Sequence, residues 1–173
     1  VFTAFSQLPF PTVALINGAC MGGGTELVLA FDDRLAADVP QTKIGLPEVK
    51  IGLIPGWGGT QRLPRLVGID AALQMITSGE PVDAAKAVEY GLVFDALPVD
   101  KMVEEGIYLI GEAHRTGDWK VARHRRSQPF GLSENQFNFS FALAEGAVKG
   151  KTRGQYPAPL IALQAIKDGI NRP

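Results

Sequence analysis

Short apolar runs separated by glycine-rich turns make up the first part of the chain. Residues 12–16 form one such run, which ends at Asn17-Gly18 and predicts a short buried strand. Three glycines, Gly22 to Gly24, then open another apolar segment. A glycine cluster in this position is typical of a strand-to-helix turn with close backbone approach, so we predict a helix over about residues 23–31.

Strand and helix signals continue to alternate after this turn. Residues 34–37 predict a strand, and residues 46–54 predict a loop followed by a strand because Pro47 disfavours a helix there. A second glycine cluster, at residues 55–60, precedes a predicted helix over residues 60–66. This alternation of strands and helices favours an α/β architecture.

Helix-capping signals dominate from Asp70 onward. They predict a helix over residues 71–77 that stops at Gly79, a helix capped by Asp83 and closed by Gly91, a brief strand at residues 92–94, a helix capped by Asp100 that runs to about residue 112, a helix opened by a capping box at Ser133 to Gln136, and a helix over residues 160–167. We therefore divide the chain into a core of residues 1–98 and a helical module of residues 99–173.

Composition and charge narrow the class of protein without identifying its chemistry. The 173 residues are 46% hydrophobic and 20% charged, which is ordinary for one globular domain. A net charge of −1 gives no reason to expect a nucleic acid or an anionic membrane as partner. No apolar run approaches the roughly 20 residues of a membrane span. With no secretory signal and a single cysteine, Cys20, we expect a cytoplasmic protein.

The first glycine turn is the first candidate site. Free backbone N–H groups at a helix N-terminus can hold a developing negative oxygen, and we select Gly23 as the donor. Glu26 follows in the first helical turn, where an ionised carboxylate is stabilised and can act as a base. A purely structural interpretation stays open for both residues. Gly23 can simply form a tight turn, and Glu26 can simply be a favourable charge at the helix N-terminus.

Glu48 is the second candidate, because it follows Pro47 in an otherwise apolar stretch. A carboxylate that points inward there must be partnered or functional. Two carboxylates aimed at one small space can hold a water molecule, so that one takes its proton and the other supplies a proton across a polarised double bond. His114 and His124 lack metal-ligand spacing, and we predict no metal site.

Three linked motifs carry a family resemblance over residues 11–98. They read PTVALINGACMGGGTE, GLPEVKIGLIPGWGGTQRLPRLVG and SGEPVDAAKAVEYGLV. In order and spacing they resemble the enoyl-CoA hydratase/isomerase, or crotonase, superfamily. The resemblance implies a crotonase-like ββα spiral, of which this chain holds the second half. It also implies a preceding first half that supplies the other oxyanion-hole N–H and most contacts to the adenine and pantetheine groups.

The resemblance assigns roles to the candidate residues. Gly23 becomes an oxyanion-hole donor, Glu26 activates water, and Glu48 delivers or removes the proton at C2. Having both acids favours a hydratase, since isomerases of the family typically keep only the equivalent of Glu48. A non-catalytic acyl-CoA-binding or assembly fragment is a further alternative. The resemblance also implies that the substrate is contacted by Gly22, Gly24, Pro55, Gly56 and Trp57.

The tail resembles the end of the hydratase portion of multifunctional fatty-oxidation proteins, through GDWKVARHRR and QYPAPLIALQAIKDGI. This implies assembly with an NAD-dependent dehydrogenase domain and a thiolase subunit, or alternatively a homo-oligomer. The chain has no G-x-G-x-x-G fingerprint, so we predict no NAD site and no other cofactor within it. A basic run beside Trp119 is interpreted as a solvated charged face, with contact to coenzyme A phosphates or a partner domain as the alternative; it comprises Lys120, Arg123, His124, Arg125 and Arg126.

Overall fold

Two small parallel sheets organise the N-terminal part of the protein in a computed structural model, which describes residues 2–172. The first has the order β1 (Val13–Ile16), β3 (Asp33–Ala37) and β5 (Asp95–Leu97). The second pairs β2 (Ala19–Met21) with β4 (Lys43–Gly45). Parallel neighbours require crossover connections, and helices provide several of them here. The predicted α/β class is therefore confirmed.

Helices make up most of the remaining structure. In chain order they are α1 (Phe2–Phe5), α2 (Gly23–Val28), α3 (Gly59–Val67), α4 (Ile69–Ser78), α5 (Ala84–Glu89), α6 (Met102–Thr116), α7 (Asp118–Arg126), α8 (Glu134–Thr152) and α9 (Ala158–Gly169), with short 3-10 helices at Pro47–Ile51 and Val99–Lys101. Two predicted caps are confirmed. Asp83 Oδ1 accepts from the Lys86 N–H at 2.8 Å, and Ser133 forms the capping box with Gln136.

The stretch after Pro47 differs from its prediction. Pro47 begins the 3-10 helix Pro47–Ile51 in place of the expected loop and strand. Proline suits the first position of a helix because its fixed φ is helical and its missing N–H has no intrahelical acceptor to reach. Glu48 thereby stands in the first turn of a short helix, and its direction is set by that helix.

Three other boundaries were also wrong. Helix α2 ends at Val28 and not near residue 31, because the chain tightens into i→i−3 hydrogen bonds at Ala30 and Phe31. Strand β5 begins at Asp95, whereas the prediction placed a strand at residues 92–94. Two of those apolar residues, Leu92 and Val93, are buried outside the strand. Asp100 lies inside the 3-10 turn Val99–Lys101, and α6 extends beyond its predicted end, to Thr116.

One apolar core joins the glycine-turn region to the C-terminal helices. Leu46 and Leu63 are fully buried in it beside Ile166 of α9. Thr25 is also fully buried, and its hydroxyl donates to Cys20 O at 2.6 Å or Gly45 O at 2.9 Å. Because Cys20 and Gly45 belong to β2 and β4, Thr25 attaches α2 to the smaller sheet. No helix within residues 2–172 has both the length and the apolar character of a membrane span.

The basic run on α7 is only partly a solvated face, which corrects our interpretation of it. Lys120, His124 and Arg125 are exposed. Arg123 forms a bidentate ion pair with the buried Asp32, from Nε to Oδ1 at 2.6 Å and from Nη2 to Oδ2 at 2.7 Å. Arg126 donates to the Asp32 carbonyl at 3.0 Å. Two of the five basic residues, Arg123 and Arg126, therefore attach α7 to the turn before β3.

Candidate active site

The glycine turn and Glu48 lie side by side. Gly22 has a φ of 55°, a conformation that glycine adopts without strain, and its N–H donates to Gly45 O at 2.9 Å. Gly23 is the first residue of α2, so its N–H has no acceptor inside the helix. A Cβ on Gly22 would lie 3.2 Å from Glu48 Oε1, which places the Glu48 carboxylate directly against this turn.

Glu26 is held by the second glycine cluster. Its side chain is buried, with 2% of the residue exposed. The Oε1 atom accepts from the Trp57 N–H at 2.7 Å and from the Gly59 N–H at 2.8 Å. These two donors define the direction of the carboxylate and leave Oε2 without a hydrogen bond from the part of the protein that the structure describes. The two glycine motifs of the sequence are thus joined through one carboxylate.

Glu48 has a different environment. Its Oε2 atom is buried and has no hydrogen-bond partner among residues 2–172. Burial raises the pKa of Glu48 most strongly; the backbone N–H of Glu48 lowers it, and the negative charge of Glu26 raises it further. The raised pKa makes Glu48 a weaker acid than an exposed glutamate, and it lies beside a Glu26 that accepts two N–H groups. Carboxyl groups in such unequal environments can divide the roles of acid and base.

The environment of Glu48 gives a stability prediction. Glu48→Gln should raise the Tm at pH 7, because the folded protein then no longer holds a poorly solvated charge near Glu26. A pKa that is higher in the folded state destabilises the fold only where Glu48 is ionised, so the gain should shrink as the pH falls towards about 4. Thermal unfolding followed by circular dichroism between these pH values measures the difference.

The exposed Glu104→Gln is the matched control and should change the Tm little at either pH, since the Glu104 side chain is 76% exposed. A Glu48→Gln protein that is less stable than the parent at pH 7, or a gain that does not depend on pH, would contradict this assignment of the Glu48 environment.

The sequence of this chain matches the model of the enoyl-CoA hydratase/isomerase family over residues 1–127 of its 173. The chain belongs to this family. Solved structures that are similar to this chain support the same family assignment. It is similar to an enoyl-CoA hydratase from Bacillus anthracis, with 33% identity and a TM-score of 0.61 over 99% of this chain and 65% of that one. It is also similar to Pseudomonas aeruginosa DspI, with 37% identity and a TM-score of 0.62 over 71% of this chain and 49% of that one.

A third structure, an enoyl-CoA hydratase/carnithine racemase from Magnetospirillum magneticum, is 27% identical with a TM-score of 0.63 over 88% of this chain and 60% of that one. The chain spans about half to two thirds of the length of these three structures. The predicted family and the crotonase-like fold are confirmed by these matches.

The other residues that the family resemblance predicts to contact the substrate lie at different depths around Glu26 and Glu48. Trp57 contributes its N–H to Glu26, and its indole lies against Gly23. Pro55 is buried at the start of the same loop, with its Cβ near Gly59. Gly24 and Gly56 are exposed. The structure thus brings the predicted glycine turn, both carboxylates and Trp57 together; the role of each in binding substrate stays a prediction.

Sequence reasoning missed Gly59, which is the second N–H donor to Glu26. A signal was present in the sequence, because each glycine cluster ends in Gly-Thr, at Thr25 and Thr60. In the structure both threonines are buried. It also missed Arg62, whose Nη1 donates to the Trp57 carbonyl at 3.1 Å. Burial lowers the pKa of Arg62, and the charge of Glu26 raises it. Arg62 therefore supports the loop that holds the first carboxylate.

A cavity of about 960 Å³ borders this loop, with Trp57 and Phe2 in its wall. Arg62, Arg65 and Arg126 also line it. Each of the three donates to backbone carbonyls, and none forms an ion pair with a carboxylate in the described range 2–172. The cavity that borders the loop holding Glu26 is therefore positively charged and suits an anionic group of a ligand.

Cys20 is not an activated nucleophile. Burial raises the pKa of the Cys20 thiol, and a hydrogen bond from Thr25 lowers it less, so the thiol form is favoured. Within the residues that the structure places, no three His, Cys, Asp or Glu side chains are grouped as metal ligands. Glu26, Glu48 and the glycine turn therefore stay the candidate catalytic groups.

Proposed function

We propose that the protein is a 2-enoyl-CoA hydratase, which adds water to the double bond and gives a 3-hydroxyacyl-CoA. One observation carries the proposal. Glu26 and Glu48 lie together at one glycine turn, and the two carboxyl groups differ in environment, since Glu26 accepts two backbone N–H groups and Glu48 has a buried Oε2 without a partner. This is the asymmetry that a water-adding acid and base require.

In the proposed reaction, the Gly23 N–H donates a hydrogen bond to the thioester carbonyl oxygen. This withdraws electrons from the conjugated double bond and makes C3 electrophilic. Glu26 takes a proton from water while the water oxygen forms a bond to C3. Protonated Glu48 gives its proton to C2, which completes the addition. Glu26 then holds one proton more and Glu48 one fewer, and exchange with solvent restores both.

The same arrangement, together with the family, supports an acyl-CoA thioester as the substrate class. An acyl-CoA thioester supplies both the carbonyl that Gly23 would bind and the phosphate groups that suit the positively charged cavity beside Trp57. A place in fatty-acid β-oxidation, an association with a dehydrogenase domain and a thiolase subunit or a homo-oligomer, the absence of a bound cofactor and a cytoplasmic location remain predictions from the sequence.

Isomerisation of a Δ3 to a Δ2 double bond is the second candidate. It is favoured by the unpartnered Oε2 of Glu48, because one carboxyl group can move a proton between C4 and C2 without the help of Glu26. The products of the two reactions differ in mass, because hydration adds one water to the substrate and isomerisation leaves the mass unchanged.

Mass spectrometry of the products therefore tests the proposal. The full gene product is incubated separately with crotonyl-CoA and with a 3-enoyl-CoA. We expect crotonyl-CoA to gain the mass of one water. Appearance of thioester-enone absorbance from the 3-enoyl-CoA, without a gain in mass by either thioester, would support the isomerase and contradict the hydratase. Tight binding with no conversion of either compound would support a non-catalytic acyl-CoA-binding protein.

A further inference from the structure

The indole of Trp57 lies unusually close to the glycine turn. A Cβ on Gly23 would be 2.5 Å from Cζ3 and 3.0 Å from Cε3, two atoms of the six-membered ring of the indole. Carbon atoms that are not bonded to each other do not approach this closely, since their optimal separation is about 3.5–4.0 Å. The space between Gly23 and the ring is therefore too narrow for a methyl group.

The side chain of Trp57 does not hold Glu26, because the backbone N–H does that. The ring packs edge-on against Phe2, with 5.3 Å between ring centroids, yet Trp57 remains 65% exposed. Large aromatic side chains that stay exposed at a site commonly contact a ligand. The backbone N–H of Trp57 thus binds the Glu26 carboxylate, and the indole is free to limit the space beside Gly23.

We propose that the Trp57 indole is a specificity-determining wall that selects acyl thioesters without a branch at C2. The inference rests on the proposed function, in which the Gly23 N–H holds the thioester oxygen. C2 is bonded directly to the carbonyl carbon, so a methyl branch on C2 lies near Gly23 and meets the ring. An unbranched C2, which carries only hydrogen besides its bonds within the acyl chain, fits the narrow space.

Two saturated thioesters test this wall without any chemical step. Butyryl-CoA and isobutyryl-CoA contain the same atoms, differ in a branch at C2, and have no double bond to hydrate. Their Kd values are measured by isothermal titration calorimetry with the full gene product. We expect butyryl-CoA to bind at least about 10-fold more tightly, since one misplaced methyl group typically changes binding by 10–200-fold.

Trp57→Phe and Trp57→Ala both remove the six-membered ring of the indole and keep the backbone N–H that Glu26 accepts. In each variant we expect the ratio of the two Kd values to fall to within about 3-fold, mainly through tighter binding of isobutyryl-CoA. Trp119→Phe is the matched control, because Trp119 packs against Arg123 on α7, with 4.4 Å from the guanidinium carbon to the ring centroid. It should keep the parental ratio.

The inference is overturned if the parent does not discriminate, if it binds neither thioester, or if both Trp57 variants keep the parental ratio. Failure of the hydratase proposal is seen separately. A protein that does not hydrate crotonyl-CoA but shows the Trp57-dependent ratio would retain the selective wall and lose only the proposed reaction.

Discussion

Replacing Glu26 with glutamine should lower kcat for hydration of crotonyl-CoA by about 10²–10⁴-fold, which is the usual contribution of a positioned general base. Glutamine has nearly the same shape, and its side-chain oxygen can still accept from the N–H groups of Trp57 and Gly59. The folded structure should therefore be retained while the group that takes the proton from water is lost. Loss of thioester-enone absorbance measures the rate.

Glu104→Gln removes a carboxylate of the same length from an exposed position on α6 and should leave kcat unchanged. KM should change much less than kcat in Glu26→Gln, because the base acts on water and not on the bound thioester. A Glu26→Gln protein that hydrates crotonyl-CoA within a few-fold of the parental rate would remove Glu26 from the mechanism.

Replacing Arg123 with methionine should destabilise the protein by about 3–5 kcal/mol, the usual effect of removing one partner of a buried ion pair. Only 3% of the Asp32 side chain is exposed, and 16% of the Arg123 side chain. Asp32 Oδ2 also accepts from the N–H and the hydroxyl of Thr12. Without the guanidinium, a buried carboxylate keeps these neutral donors but has no compensating charge. Urea denaturation measures the change in the free energy of unfolding.

Arg125→Met is the matched control for this ion pair. Arg125 is exposed on the same helix, so its loss should change the free energy of unfolding by no more than about 0.5 kcal/mol. Adding Asp32→Asn to Arg123→Met should recover part of the lost stability, because it removes the unpaired charge. Equal effects of Arg123→Met and Arg125→Met would show that the ion pair does not anchor α7.

Elements with local signals could be predicted from the sequence. Asp83 caps α5 and Ser133 caps α8 through hydrogen bonds to residues three positions away, which are visible in the sequence pattern. Pro47 was misread because the same property, a fixed φ without an N–H, ends one helix and begins another. Which of these occurs depends on packing with residues far away in the chain.

The candidate site was also predictable in part, because some of its residues carry local sequence signals. Gly23, Glu26 and Glu48 each carry a local signal, a glycine turn or an acid in an apolar context. The hydrogen bonds from Trp57 and Gly59 to Glu26 span 31 and 33 residues and use backbone groups, which every residue except proline possesses. The ion pair between Asp32 and Arg123 spans 91 residues, so the charge run on α7 did not reveal which of its members point inward.

The most direct test of the carboxylate pair compares kcat for crotonyl-CoA hydration in Glu26→Gln, Glu48→Gln and the double variant. Groups that act as a unit on one water give strongly non-additive losses. We expect the double variant to lose about as much activity as the slower single variant. Losses that multiply, or a single variant with parental kcat, would contradict the proposal that Glu26 and Glu48 act together on one water molecule.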